Sequence, residues 1–501
     1  MKLYNYLLVN LLASIRSMLL FSTDAMKLMF IPGFEKTRWN IGKRKAYIEF
    51  LRAKKNVPAY RDFLIKNNFI KLTFNGTIPD INAIPISDKD NYIRKYSLDE
   101  RCVGGKVPSR GVIIDESSGS TGMPVHWVRG MKERTMNKRM LEFGLANLIG
   151  KDPQFIINAF ALGPWATGIN ITMSFSDVAI IKSLGPDIQK IENTFSFFGN
   201  KHNYLVMGYP PFLKTLVDTA NVNWKEYNVS CICGGEGISE SMRDYILSKG
   251  IKKLYSGLGA SDLELNIAAE NDFTIALRKY LEKNKALAAK LIKHSGAMPM
   301  IFQYNPLDFF IESNDEGELL VTVCRPGYAS PKIRYNIHDT GHVVRMPEFK
   351  NILKELNINI KEIGVPKGDL PLLFHYGRSD FAVAFFGAKI APPDMQEVVF
   401  RLPELANNIS SFTMISYEDE ALNKHLTICF ELIETRNVAD FTSEQFTNKV
   451  FDELKNVNQD FREASRMVPE VSNPTVEFYA AGTGPFADKD IRLKSKYIKK
   501  K

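Results

Sequence analysis

Cysteine is scarce in this chain: Cys102, Cys231, Cys233, Cys324 and Cys429 are the only five, scattered over 501 positions. An odd, dispersed set excludes a disulfide-framed secreted domain and points to reduced thiols in a cytosolic protein. Cys231 and Cys233 alternate within VSCICGG as neighbours on one face of a strand, without the spacing of a zinc site. All five read as packing residues. Long apolar runs are missing too. The opening stretch MKLYNYLLVNLLASIRSMLLF is broken by Arg16, is too short to cross a bilayer and lacks a small-residue cleavage signal. It reads as an amphipathic helix packing on the body, with peripheral contact to a membrane surface as the alternative. Nor does one charge dominate. The formal net charge is +9, much of it in the terminal RLKSKYIKKK, which reads as a solvated basic end. No basic face with interleaved aromatics marks a nucleic-acid binder. Nothing here fixes an oligomeric state.

What is present is a soluble composition, 45% hydrophobic and 24% charged, long enough to build a core without staples. The segments GKRKAYIEFLRAKK and AYRDFLIKNN have helical spacing, so residues 1–100 read as a mainly helical lead-in. From residue 105, apolar runs such as QFIINAFAL, NYLVMGY and VSCICGG alternate with helical DIQKIENTFSFFGN, PPFLKTLVDTA and SESMRDYILSKG. That alternation predicts α/β units with largely parallel strands. DFFIES, GELLVTVC and KIRYNIHD follow at antiparallel spacing. After HYGRSD the pattern changes to strand-like FAVAFFGAKI, helical PPDMQEVVFRL, two further strands, a helix capped by Thr442 and running through Arg466, and strand-like TVEFYAA. The expected architecture is α/β: a large domain over 1–378 with mixed sheets and helices, and a small mobile α+β domain over 379–501.

One stretch raises a chemical question. DESSGSTGMPVHW, residues 115–127, sets Ser117, Ser118, Gly119, Ser120, Thr121 and Gly122 between two apparent strands. Glycines cost backbone entropy and bury nothing, but successive amides and hydroxyls in such a loop make an anion-binding nest. No GK[ST] follows, so it is not a P-loop.

The loop resembles the phosphate-binding signature of adenylate-forming enzymes, the superfamily of acyl-coenzyme A synthetases and related ligases, with Val125 where the signature ends in lysine. The nearest resemblance is to the phenylacetate–coenzyme A ligase-like branch. Further segments match in order. CGGEGISESMRDYI resembles the branch's GGEPxSExxR segment, which implies that Gly234, Gly235 and Glu236 border adenine. SGLGASDLE resembles Y-G-x-[ST]-E, aligning Gly259, Ala260, Ser261 and Asp262, with Leu258 for tyrosine and Asp262 for glutamate as the magnesium ligand. PKIRYNIHDTGHV resembles YxTGD and implies that Asp339 accepts the ribose hydroxyls. YGRSDFAVAFFGAKIAPPDMQEVV resembles the hinge segment, which implies nucleotide contact by Arg378, a pivot at Asp380 and a thiol channel beside Gly387. NAFALGPWATG is the stretch implied to approach the acyl group, with Phe160, Trp165, Gly168 and Gly259 at the pocket. FADKDIRLKSKYIKK offers Lys494 or Lys496 as the cation between carboxylate and α-phosphate, with Lys494 preferred.

The resemblance implies activation of a small-molecule carboxylate, an aryl acid among the candidates, by ATP and Mg2+, with Lys494, Ser120, Thr121 and Asp262 serving the chemistry. The acyl-adenylate then passes to the thiol of coenzyme A or of a phosphopantetheine-bearing acyl carrier protein. Transfer to an amine or alcohol stays open. So does a degenerate nucleotide- or partner-binding protein, because Val125, Leu258 and Asp262 depart from the pattern. Taken singly, Asp339 reads as a turn acid, Arg378 and Asp380 as a surface ion pair, Gly387 as a bulge, and Phe160 and Trp165 as core.

Overall fold

The computed structural model describes residues 2–19, 22–116, 125–163, 166–293, 298–378, 383–386, 388–420, 424–467, 470, 473–487 and 498–500. The strand–helix alternation builds an eleven-stranded sheet. Its order is Phe309–Ser313, Glu318–Val323, Tyr335–Val344, Leu372–Arg378, Met300–Gln303, Ala268–Ala269, Lys253–Leu258, Asn228–Gly234, Asn203–Gly208, Gln154–Asn158 and Ile180–Ser183. The last five strands run parallel and the first seven antiparallel to their neighbours. The inner parallel strands are covered on both faces, which is why Gln154–Asn158 is buried at every position, whereas the edge strand Ile180–Ser183 is not. Their crossover helices start at marked positions. Asp187 accepts the Lys190 amide at 3.0 Å, Pro210 and Pro211 open the helix Pro210–Thr219, and Ser239 accepts the Met242 amide at 3.2 Å. Gly208, Gly234 and Leu258 thus end three neighbouring parallel strands at one edge, where open α/β sheets leave a crevice. All five cysteines are buried free thiols, and burial pushes the Cys233 thiol up to about 12.

The lead-in is helical as expected, with Lys2–Leu19, Glu35–Asn56 and Pro58–Lys66. Tyr47, Ile48, Phe50 and Ala53 of the long helix enter the main core. The first helix only half fulfils the expectation of packing. Asn5 and Val9 are buried, and Asn5 donates to the Thr77 carbonyl at 3.1 Å. Leu3, Leu7, Leu11, Ile15 and Met18 form a stripe on the other side and are exposed.

The C-terminal part has its own four-stranded sheet, ordered Thr475–Tyr479, Lys424–Leu432, Ile409–Glu418 and Ile498–Lys500. Helices Pro392–Arg401 and Ser443–Val457 enclose a separate apolar cluster that includes Met395, Met414, Ile428, Phe430, Val450 and Leu454. The chain is therefore α/β with a large mixed-sheet body and a smaller α+β part. Two local readings change. FAVAFFGAKI is not one strand but a hairpin of Val383–Phe385 and Ala388–Ile390, turned at Phe386 with φ +48°. The helix capped by Thr442 stops at Val457, because the Asn458 side chain caps a second helix by accepting the Phe461 amide at 2.8 Å. The two parts touch where Lys214 donates to the Ile409 carbonyl at 2.6 Å and Ser241 to Glu397 at 2.7 Å.

Candidate functional site

Strands Val112–Glu116 and His126–Gly130 pair antiparallel, Glu116 opposite His126, so the Ser/Gly loop caps a hairpin as expected. Ser117, Ser118, Gly119, Ser120, Thr121 and Gly122 themselves lie outside the described residues. The hairpin root is fixed by buried charge. Arg129 donates to Asp115 at 3.1 Å and to the carbonyls of Ser261 and Leu263, while Asn170 donates to both Asp115 oxygens at 3.1 Å. Burial opposes the Arg129 charge, but the carboxylates of Glu264, Glu133 and Asp115 hold it protonated, above the ordinary range. The root of the hairpin is therefore tied to the turn that carries Ser261 and Asp262.

That turn follows Leu258. A Cβ on Gly259 would sit 2.5 Å from the Leu265 carbonyl oxygen, so the glycine permits the close return of the chain and is a turn residue in this structure. Asp262 is buried beyond it. Its Oδ2 accepts the Tyr335 hydroxyl at 3.0 Å and lies 3.1 Å from the Lys89 ammonium, and Oδ1 is 3.4 Å from the Ser261 hydroxyl. On the neighbouring strand, Gly234 runs so close to Gly257 that a Cβ would meet its oxygen at 2.9 Å, and Gly235 turns the chain outward at φ +82°. Glu236 follows, half-buried beside Tyr209. Burial and the Glu236 charge push the Tyr209 hydroxyl up to about 12.

On the antiparallel half, Asp339 and Arg378 are register partners on adjacent strands, and a bulge follows between Thr340 and Gly341. His375 Nε2 lies 2.8 Å from Asp339 Oδ2. The sheet thus carries Gly234–Glu236 and Ser261–Asp262 after the ends of two adjacent parallel strands, and Asp339 opposite the backbone of Arg378 on two adjacent antiparallel strands, with Ala268–Ala269 and Met300–Gln303 between the two pairs.

Other expected residues do not join this group. Phe160 is a core side chain, packed with Ile156, Ile171, Phe175 and Leu205 and set edge-on to Tyr209 at 5.0 Å, so it forms no open pocket wall. Gly168 lets the helix Ala166–Phe175 press against the Ala161 carbonyl. Trp165, Asp380, Gly387, Lys494 and Lys496 lie outside the described residues. A cavity of about 110 Å³ opens between Arg129, Arg134, Asn170 and Glu264, and one of about 570 Å³ between Arg52, Arg110, Lys132 and Tyr328. Neither is lined by Asp262 or Asp339. Among the described residues no group of three or more His, Cys, Asp or Glu side chains could hold a metal. Asp262, the expected magnesium ligand, has its Oδ2 occupied here by the Tyr335 hydroxyl and the Lys89 ammonium.

Lys89, Tyr209, Arg129, Asp115 and His375 are the residues that motif reading passed over. The available signal was charge inside apolar strands, as in VIIDE and HWVRG. Lys89 carried none, because it lies in the lead-in and meets Asp262 only through the tertiary fold.

No family model and no curated protein matches the chain. Solved structures do. The 2-hydroxyisobutyryl-CoA ligase in its postadenylation state is 12% identical over 94% of this chain and 91% of its own, with a TM-score of 0.67. The same ligase in an open conformation with 2-HIB-AMP and CoA gives 0.52 at 12% identity, covering 94% and 92%. In its thioesterification state with 2-HIB-AMP and CoA it gives 0.51 at 13% identity, covering 93% and 90%. At such identities the likeness establishes the fold.

Proposed function

We propose that the protein is an ATP-dependent, AMP-forming carboxylate ligase: it activates a small-molecule carboxylic acid as an acyl-adenylate and passes the acyl group to a thiol. What supports this is that the motif residues sit on one sheet, Gly234–Glu236 and Asp262 after the ends of two adjacent parallel strands and Asp339 opposite Arg378 on two adjacent antiparallel strands. The fold shared with a CoA ligase supports it. Adenylation is an in-line displacement at the α-phosphorus, in which the substrate carboxylate attacks and pyrophosphate leaves. No covalent nucleophile is required of the protein, only positioning and charge stabilisation.

In this reading Gly234 and Gly235 give backbone access along the adenine, with Glu236 at its edge. Asp339 accepts the ribose hydroxyls while His375 holds one of its oxygens in place, and Arg378 borders the nucleotide. Ser117 to Gly122 donate to the β- and γ-phosphates. Magnesium supplies charge neutralisation on those phosphates, with Asp262 as its protein ligand. Lys494 brings a cation to the reacting carboxylate. Residues 1–378 and 379–501 act as two domains, the second turning about Asp380 to bring Gly387 to the incoming pantetheine. The acceptor is coenzyme A or a carrier-bound phosphopantetheine, and membership of the phenylacetate–coenzyme A ligase-like branch is part of the same proposal.

We also propose that the first helix lies on an anionic lipid surface. It exposes Leu3, Leu7, Leu11, Ile15 and Met18 with Tyr4 and Tyr6 beside them, and its sequence contains Lys2 and Arg16 but no acid. Asp24, the one carboxylate before Glu35, is bound by Lys27 and Lys151. An apolar stripe in basic surroundings complements negative headgroups. Among the described residues no helix is long and apolar enough to cross a membrane.

The test of the ligase reading is carboxylate-dependent exchange of labelled pyrophosphate into ATP, run across a panel of acids. Exchange with at least one acid, followed by thioester formation on adding coenzyme A, is the expected result. ATP binding without exchange over a broad panel favours the non-catalytic alternative. AMP release with amines or alcohols but not thiols changes the acceptor and keeps the activation step.

A further inference from the structure

The helix Met131–Leu148 follows the strand His126–Gly130 directly, and Ala166–Phe175 packs beside it. Arg134, Asn137 and Lys138 recur at helical spacing on the first helix, and Asn170 and Ser174 on the second, so each group shares one face. The two faces line the cavity of about 110 Å³, whose wall also includes Glu264 and Leu265 from the turn that carries Asp262. Arg129 ties the two sides together, since it lines the cavity and donates to the carbonyls of Ser261 and Leu263.

The charged groups of this wall are already engaged. Arg129 pairs with Asp115 at 3.1 Å, Lys138 pairs with Asp177, and Arg134 donates to the Gly111 carbonyl at 3.2 Å. Glu264 accepts the Tyr328 hydroxyl at 2.7 Å and the Leu265 amide at 3.2 Å. The neutral groups are not. Asn137 is 4% exposed, and neither end of its side-chain amide has a hydrogen-bond partner among the described residues. The Ser174 hydroxyl, on a residue 7% exposed, has none there either. Asn170 spends its Nδ2 on Asp115 and the Ala166 carbonyl, which leaves its Oδ1 unused. Buried polar groups without partners are costly, so three of them around one cavity point to something bound there. A bridging water needs only roughly 10–15 Å³, whereas a dry cavity that binds benzene holds roughly 150 Å³. This cavity lies between the two, and no aromatic side chain lines it.

We propose that the acid this protein activates is short and aliphatic, and that an uncharged hydroxyl or carboxamide on its tail sits in this cavity against Asn137, Asn170 and Ser174. This rests on the adenylating reading above and supplies its substrate class. A hydroxyl or carboxamide both donates and accepts, which matches the unused donor on Asn137 and the unused acceptor on Asn170. A second carboxylate does not match, because it meets the Glu264 carboxylate and brings no donor for Asn170. A purely apolar tail leaves all three groups without partners, and an aryl tail exceeds the space.

The experiment is pyrophosphate exchange by wild type, Asn137→Leu and Ser174→Ala. The acids are lactate, 3-hydroxybutyrate and succinamate, their isosteres isobutyrate, isovalerate and succinate, and phenylacetate. In wild type at least one hydroxyl- or amide-bearing acid is expected to show a KM at least about tenfold below that of its isostere. Asn137→Leu, nearly equal in size, is expected to raise the KM for that acid about ten- to a hundredfold, erasing the preference, while the KM for ATP stays within about twofold. Ser174→Ala is expected to shift the same KM in the same direction by a smaller factor, and it decides the matter if Asn137→Leu does not fold. Exchange that favours phenylacetate, succinate or the unsubstituted acids overturns this assignment alone and leaves the ligase reading standing. A ranking of acids that both folded variants leave unchanged overturns it too. A wild type that exchanges with no acid removes the adenylating reading, and this assignment with it.

Discussion

His375 and Asp339 meet across two antiparallel strands, with Nε2 and Oδ2 2.8 Å apart, and Asp339 is at the same time the register partner of Arg378. The strand that carries Asp339 on one side of a bulge pairs with the last described residues before the link between the two parts of the chain, so the proposed ribose contact would be coupled to that link. The contact also fixes one Asp339 oxygen, which limits rotation of the carboxylate before a ligand arrives.

Asp339→Ala is therefore expected to weaken ATP binding by about one to two decades, the value of roughly 1.5–3 kcal/mol for lost hydrogen bonds to a charged group. Circular dichroism and thermal melting should stay close to wild type, because the residue is outside the apolar clusters. Unchanged nucleotide affinity in a folded variant would remove Asp339 from the site.

The loop gives a second prediction. Ser120→Ala and Thr121→Ala should depress pyrophosphate exchange while leaving binding of the carboxylate substrate intact, if as proposed the hydroxyls act on phosphate oxygens. Equal loss of both functions would instead signal collapse of the hairpin, whose root depends on Arg129 and Asp115.

Much of this was legible in sequence for a physical reason. Strands such as Gln154–Asn158 carry an unbroken apolar run, Phe155 to Ile157, because both faces are covered, and their helices begin at Asp187, Pro210 and Ser239, which satisfy or omit the first amides. Such signals are local. The hairpin at Phe386 was not legible, since an apolar run carries no mark of a positive φ at phenylalanine. Nor was Asn458, which breaks a continuous helical pattern by capping forward and by donating to the distant Asp394 at 2.9 Å. Phe160 could not be told from a pocket residue because core and apolar pocket select the same side chains. Lys89 and Asp262 are 173 positions apart and meet only when the lead-in bridges the sheet.

Glu133 beneath the hairpin makes stability depend on pH. Burial, outweighing the nearby Arg129 charge, pushes its carboxyl from 4.5 up to about 7, with Glu264 adding to the rise. Between those values the folded state keeps a proton that the unfolded chain releases, so this group's contribution falls as pH rises from about 4.5 to 7. Glu133→Gln keeps an acceptor for the Ala329 amide and removes the titration. Urea unfolding should show the variant gaining on wild type across that window, by at most about 3 kcal/mol. A constant difference between pH 5 and pH 7 would contradict the argument.

The first helix is tested with vesicles. Wild type should sediment with vesicles rich in phosphatidylglycerol, less with pure phosphatidylcholine, and less again at high salt. Leu7→Glu together with Leu11→Glu should reduce binding at least about tenfold without altering ATP affinity. If wild type ignores both vesicles but runs as a dimer that these substitutions dissociate, a second copy covers the stripe and the lipid proposal fails.

The final prediction separates the two halves of the reaction. Strand Ile498–Lys500 pairs parallel with Ile409–Glu418, placing Ile498 beside Met414, and Lys494 precedes that strand by four positions in the sequence. If Lys494 bridges the carboxylate and the α-phosphate, its charge matters while pyrophosphate departs and little once the acyl-adenylate exists. Lys494→Ala should then abolish pyrophosphate exchange yet still convert a supplied acyl-adenylate to thioester. Asp380→Pro fixes φ at the proposed pivot and should do the reverse, keeping exchange while slowing transfer. Should Lys496→Ala give the first pattern in place of Lys494→Ala, the neighbouring lysine carries the role and the mechanism stands. Exchange that survives both lysine substitutions would mean that the C-terminal part takes no direct share in adenylation, and the charge on the reacting carboxylate would have to be met from the large domain.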